Sequence, residues 1–244
     1  MSVDPDLAET DEPYAYAGGD PVNEDDPSGD NSCGSPANCD AILLQNANAL
    51  VAFNYFLNTD HFSGAQAAGF VGNFEVESGV DTDCVGGTGV CQPLGGTVPY
   101  FEPFGIAQWL GGRTQALFSF ASQHGLKMSQ AAQSLTIQLE FVSDELGIGP
   151  YSKNAGWQER AWADTDIASA YDPDFAAEEV AQYFEGAVGP KTVTNPTGLQ
   201  DLTDRQKFAS AAYALWAPRA AGSRVGQLEN SFYGPGLDRE GLLA

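Results

Sequence analysis

The stretch SGAQAAGFVGNFEVESG, residues 63–79, carries its own start, face and stop. Ser63 followed by Gln66 has the form of a capping box, in which hydroxyl and amide each satisfy a backbone N–H left free at a helix start. A helix therefore begins near Gly64. Its apolar stripe is Ala67, Phe70, Val71 and Phe74, and Gly79 supplies the left-handed residue that follows a last turn. Two carboxylates, Glu75 and Glu77, stand near its end. Positions two apart on a helix point about 200° apart, so only one of them can be a working acid on a given face. Glu77 continues the Phe70 and Phe74 stripe, whereas Glu75 lies opposite with Ala68 and Gly72. A carboxyl at the edge of an apolar face is partly desolvated, which disfavours its charged form. A general acid for glycosidic cleavage requires that condition. Taken alone, Glu77 reads equally well as a helix-terminal glutamate beside its cap.

Working outward, residues 1–39 are rich in Asp, Glu, Gly, Pro, Ser and Asn and read as an acidic, disordered or extended arm. Leu43, Ala47, Leu50, Phe53 and Leu57 then recur at helical spacing and predict a helix over 40–58. Val80 to Phe104 is an irregular lobe with room for a small β-hairpin. Helices are expected at 113–124, at 129–146 with Leu135, Leu139, Val142 and Leu146 in register, at 174–185 behind Asp174, and at 203–217 behind a Thr203–Gln206 capping pair. Residues 218–244 read as an irregular tail. The fold class is mainly α: one helical domain over 40–217, with a loop or hairpin lobe over a cleft.

The chain has 33 acidic and 10 basic residues, a formal charge of −23, and no Lys or Arg before Arg113. Phosphate neutralisation needs clustered cations, so nucleic acid is excluded as a partner, and an anionic membrane surface is disfavoured. We read the acidity as halophilic adaptation, with a plain solvated acidic surface as the alternative. No apolar run is long enough to span a bilayer. The first residues have neither a basic nor an apolar segment, so no Sec-type signal peptide is expected. The cysteines fall as two local pairs, Cys33 with Cys39 and Cys84 with Cys91, which suit two short disulfide loops or free thiols. Neither pair has zinc-finger spacing, and no metal or cofactor is expected.

A second motif, FGIAQWLGGR at residues 104–113, bears on the chemistry. Gly105 allows close backbone approach, Gln108 offers donor and acceptor, and Trp109 offers a face for a sugar ring. These are components of a saccharide cleft.

GNFEVESGV, FGIAQWLGGR, QLEFVSDEL, AQYFEGAVGP and DRQKFASAAYA together resemble the phage tail lysozyme family over roughly residues 42–217. The Glu-Ser pair followed by Gly-Ile-Ala-Gln resembles, more distantly, lytic transglycosylases and goose-type lysozymes. The resemblance implies a lysozyme-like helical domain acting as a muramidase on the β-1,4 bonds of peptidoglycan, associated with a virion tail or acting outside the cell or in the periplasm. It also implies Glu77 as catalytic acid, with Gln108 and Trp109 lining the cleft. The second carboxylate does not transfer, because the 80–104 lobe is longer than the family's connection. Asp81, Asp83 and Glu102 are its candidates. Tyr100, Phe101 and Phe104 are further stacking candidates, although Phe104 equally anchors the loop to the core. Glu140, Glu145 and Glu185 read as helical glutamates that cap or pair. The acidic arm would bind other tail proteins. Competing readings are a non-catalytic glycan-binding tail protein, a lytic transglycosylase that uses the substrate's own 6-hydroxyl, and a cysteine peptidase built on Cys84 or Cys91 with His124.

Overall fold

A computed structural model describes residues 33–86, 92–93, 102–127, 134–148, 166–185, 199 and 201–217. Its elements are α1 (Pro36–Gln45), α2 (Ala47–Asn58), α3 (Gly64–Ser78), β1 (Cys84–Val85), β2 (Gln92–Pro93), α4 (Gly112–Gln123), α5 (Leu135–Leu146), a 3-10 turn (Asp166–Ser169), α6 (Pro173–Val180) running into a π turn (Ala181–Glu185), and α7 (Leu202–Trp216). The fold is mainly helical, as the sequence implies. Among the described residues the only sheet is a two-residue antiparallel hairpin, Cys84 opposite Pro93 and Val85 opposite Gln92. No helix in the described residues is long and apolar enough to cross a membrane.

Helix α3 is the axis of the domain, and its ends are those the sequence predicts. The Ser63–Gln66 capping box is formed, and Gly79 closes the helix at φ +63°. The Gln66 amide also donates to the carbonyls of Ile167 and Ala168 at 3.0 and 2.8 Å, tying the 3-10 turn to the start of α3. Every residue from Ala65 to Glu75 is buried. A helix buried on all sides needs small residues where neighbouring backbones come close, and Gly69 and Gly72 provide them. A β-carbon at Gly69 would meet the backbone of Ala176 on α6, and one at Gly72 would fall on the carbonyl of Arg205 and the amide of Ala209 on α7. On the opposite face Phe70 and Phe74 join Phe56, Phe62 and Phe184, with neighbouring rings 4.9 to 6.3 Å apart. Each such ring contributes about 1.5–3 kcal/mol by leaving water.

Elsewhere the elements differ from expectation in instructive ways. The helix expected over 40–58 is two helices. Asn46 stands between them with extended backbone, its carbonyl side-chain oxygen accepting from the amides of Asn48 and Ala49 as the cap of α2. The break shifts the helical phase, so Ala49, Ala52, Phe53 and Phe56 are buried while Ala47 and Leu50 are exposed. Ordered chain also begins before Asp40. Cys33 and Cys39 form a buried disulfide across the start of α1, with Cα atoms 5.0 Å apart, so the arm ends earlier than residue 39. Cys84 is disulfide-bonded too, and Cys91 lies outside the described residues. Among the described residues no cysteine is free, so Cys84 offers no thiol nucleophile of the kind a peptidase would need.

Helix α5 starts behind Ser134 rather than at 129. Helix α6 is capped by Asp172, not Asp174, with Pro173 at its first position, where the missing N–H does no harm. Helix α7 follows Asp201 in the left-handed region, and the Thr203–Gln206 box does not form. The tail from residue 218 onward, together with Tyr100 and Phe101, lies outside the described residues.

Candidate functional site

The two sequence motifs meet at the C-terminal end of α3. The Ser78 hydroxyl donates to the Ile106 carbonyl at 3.0 Å and accepts from the Asp81 amide at 3.2 Å. One buried side chain, Gln138 of α5, staples the far side. Its oxygen accepts from the Ile106 amide at 2.9 Å, and its nitrogen donates to the Thr82 carbonyl at 2.6 Å. Gly105, at φ +75°, has no room for a β-carbon, which would sit 2.7 Å from that same Gln138 oxygen. The expected close backbone approach at Gly105 is therefore to the protein's own glutamine.

Glu77 occupies the last turn of α3. Its side chain retains 19% exposure, and its Oε1 accepts from Arg205 Nη2 at 2.6 Å. Arg205, from α7, is buried and also donates from Nη1 to Asn73 Oδ1 at 2.8 Å. Asn73 is itself fixed by donating to the carbonyls of Gly69 and Ala177. The carboxylate is thus held, through Arg205 and Asn73, by α3, α6 and α7, and its side chain is partly exposed.

Glu75 does not lie on a solvated face. It is 6% exposed, and its Oε1 accepts from the Asn46 amide at 2.7 Å, while the same nitrogen reaches the Gly79 carbonyl at 2.8 Å. Burial pushes the Glu75 carboxyl up to about 7, the Asn46 hydrogen bond opposing it. An acid raised from 4.5 to about 7 stabilises the fold fully below pH 4.5 and loses that contribution as pH rises through 7. A change of this size is worth roughly 3 kcal/mol. Glu75→Gln should therefore raise stability at pH 8 by about 1–3 kcal/mol and leave it nearly unchanged at pH 4.5. Urea denaturation at the two pH values reads this difference, and an equal effect at both would refute it.

The remaining expected residues divide sharply. Gln108 is 9% exposed and adopts φ +45°, an uncommon conformation for a residue with a β-carbon. Its amide donates to the carbonyls of Gly105 and Cys84, and its Oε1 is buried with no hydrogen-bond partner. Trp109, by contrast, is fully buried, stacks edge-on against Phe141 and donates from Nε1 to Glu145 at 2.8 Å. It has no free face for a sugar, so its expected stacking role is corrected to a core role. Phe104 is also fully buried, against Phe118, and anchors its loop. Glu102 is exposed. Asp81 and Asp83 are brought together: the Asp83 amide donates to Asp81 Oδ1 at 3.2 Å. Partial burial and the neighbouring Asp81 charge raise the Asp83 carboxyl above its ordinary range. Beside them an open groove of about 440 Å³ is lined by Ile42, Gln45, Asn46, Asn48, Gly79 and Asp81.

Sequence reasoning singled out neither Arg205 nor Asn46 for the site. The one signal for Arg205 was scarcity, since the chain has only 10 basic residues, but it stands among Asp204, Gln206 and Lys207 and nothing local marks it. Glu145 pairs as expected, accepting from Arg113 Nε and Nη2 at 2.7 and 2.8 Å. Among the described residues no group of three or more His, Cys, Asp or Glu is arranged to hold a metal.

A family model described as phage tail lysozyme matches residues 47–216, which contain both motifs and all of the charged partners just described. No curated protein and no solved structure matches the chain.

Proposed function

Since the chain belongs to the phage tail lysozyme family, we propose that it is a muramidase, cleaving β-1,4 glycosidic bonds of peptidoglycan with Glu77 as proton donor. The observation that carries this reading is the hydrogen bond from Ser78 to Ile106, which sets the acid of one motif against the Gln108 turn of the other. Glu77 would protonate the leaving glycosidic oxygen as the sugar gains oxocarbenium character. Gln108 Oε1, fixed by its own amide and lacking a partner, would accept a hydroxyl or amide proton of the saccharide. The linked Asp81–Asp83 pair supports Asp83 over the exposed Glu102 as the carboxylate that activates water.

One observation favours Glu75 as the acid instead, because burial holds its carboxyl near neutrality, where a general acid works best. Its position argues against it: the carboxyl lies behind Asn46 at 6% exposure, whereas the Glu77 side chain is 19% exposed.

The chain would act at the tip of a virion tail, with the acidic segment before Cys33 docking a tail partner. High salt would relieve repulsion between a chain of charge −23 and an anionic wall. Mass analysis of fragments released from purified walls tests bond and mechanism together. Reducing muramic ends are expected. 1,6-Anhydro ends would instead assign the transglycosylase route, and the absence of any fragments would leave a glycan-binding protein.

A further inference from the structure

Two Glu–Arg pairs are set into the helices, and they are built differently. Glu145 has both oxygens taken: Oε1 accepts from Arg113 Nε, and Oε2 from Arg113 Nη2 and the Trp109 indole. That pair is closed on itself. Glu77 meets Arg205 through one oxygen only, Oε1, and among the described residues its Oε2 takes no hydrogen bond. One oxygen is held and the other is left over. The holding group is itself fixed at both ends. At its root, the Arg205 carbonyl lies where a β-carbon on Gly72 would fall. At its head, the guanidinium bridges two residues four apart on α3, giving Nη1 to Asn73 Oδ1 at 2.8 Å and Nη2 to Glu77 at 2.6 Å. Such residues are neighbours on one helix face. Asn73 cannot turn its amide round, because its nitrogen already donates to the carbonyls of Gly69 and Ala177. A guanidinium presents its nitrogens in a rigid planar fork, so Asn73 sets the direction from which Nη2 meets the acid.

We propose that Arg205, braced by Asn73, is a positioning residue that makes Oε2 the oxygen from which Glu77 delivers its proton. The inference rests on the reading of Glu77 as the donor. A protonated carboxyl has one oxygen that only accepts and one that carries the hydrogen. The guanidinium, which can only donate, claims Oε1 for the accepting role and leaves the hydrogen to Oε2. In the transfer the Oε2–H bond breaks and an O–H bond forms on the leaving sugar's oxygen, while the bond from that oxygen to the anomeric carbon breaks. A negative charge then develops on Glu77 directly against Arg205. A donor already aimed at developing charge stabilises the transition state more than the ground state. Water adds its hydroxyl to the anomeric carbon, and the proton it releases makes up the one that Glu77 gave. No further reactant is needed.

Two measurements on the full chain test this. The first is cleavage of a soluble, wall-derived tetrasaccharide by Arg205→Lys, which keeps the charge but not the fork. In protein that circular dichroism shows to be folded at the assay temperature, kcat should fall about ten- to hundredfold while KM stays within about threefold, since the interaction acts in the transition state. An arginine that merely supports the fold would lower the melting temperature and leave kcat of the folded protein at the wild-type value, and that result overturns the proposal. The second measurement leaves Arg205 in place: a crystal structure of Glu77→Gln with the tetrasaccharide bound. The amide oxygen of the new side chain should face Arg205, and its nitrogen, standing where Oε2 was, should face the glycosidic oxygen. A glycosidic oxygen seated against Arg205 instead overturns the proposal, whether or not Arg205→Lys folds. The two readings fail separately. Cleavage by Glu77→Gln at the wild-type rate would remove Glu77 as the donor and this role of Arg205 with it, whereas an unchanged kcat in Arg205→Lys beside an inactive Glu77→Gln would remove only the role of Arg205.

Discussion

Glu77→Gln should fold and yet lose wall-clearing activity by about a hundred- to ten-thousandfold, the range that a positioned general acid supplies. The substitution keeps the size of the side chain, and the amide oxygen can still accept from Arg205 Nη2, now 2.6 Å from the carboxylate. What it cannot do is give up a proton. Arg205 loses a full counter-charge, but its second hydrogen bond, to Asn73, is untouched. The melting transition should therefore stay cooperative. Glu75→Gln serves as the internal control, since that carboxyl is buried against Asn46. It should clear walls at a rate close to wild type. Turbidity decay of purified walls, read beside circular dichroism melts of both variants, separates the two acids. A Glu77→Gln protein that clears normally, or a Glu75→Gln protein that does not, would reverse their roles.

Glu145→Ala should produce the largest loss of stability among the site residues, about 3–5 kcal/mol, as expected when one member of a buried ion pair is removed. Glu145 is 3% exposed and accepts three donors: Arg113 Nε, Arg113 Nη2 and the Trp109 indole. Truncation strands all three in the interior and leaves a hole between α4 and α5. Glu145→Gln keeps the volume and part of the hydrogen bonding, so it should cost clearly less. Guanidinium denaturation of both variants at one pH tests this. A Glu145→Ala loss under about 1 kcal/mol would mean that Arg113 finds another anion at no expense.

How much of this was legible beforehand follows from the range of the forces involved. The ends of α3 were readable because capping is local: Ser63, Gln66 and Gly79 act within a few residues of where they stand. The Asn46 break was not, since that asparagine both caps α2 and reaches Glu75 and Gly79 across the chain. The burial of Glu75 was not legible either, since the face opposite the Phe70 and Phe74 stripe is covered too. Trp109 was misplaced for a related reason: only the fold reveals that its indole points inward to Glu145. Arg205 lies far from Glu77 in sequence, and its role depends on helix packing that no local pattern records.

The small residue at position 72 bears on how such a site can open. Because α3 and α7 touch backbone to backbone there, with the Arg205 carbonyl where a side chain would otherwise be, the arginine is clamped at its root. Its guanidinium is held in turn by Asn73 and by Glu77 itself. Acid and counter-ion thus form the stationary jaw of a vice. The opposite wall, the turn that carries Gly105 and Gln108, is tied to α3 by Ser78 and to α5 by Gln138, so the two jaws stand at a fixed spacing.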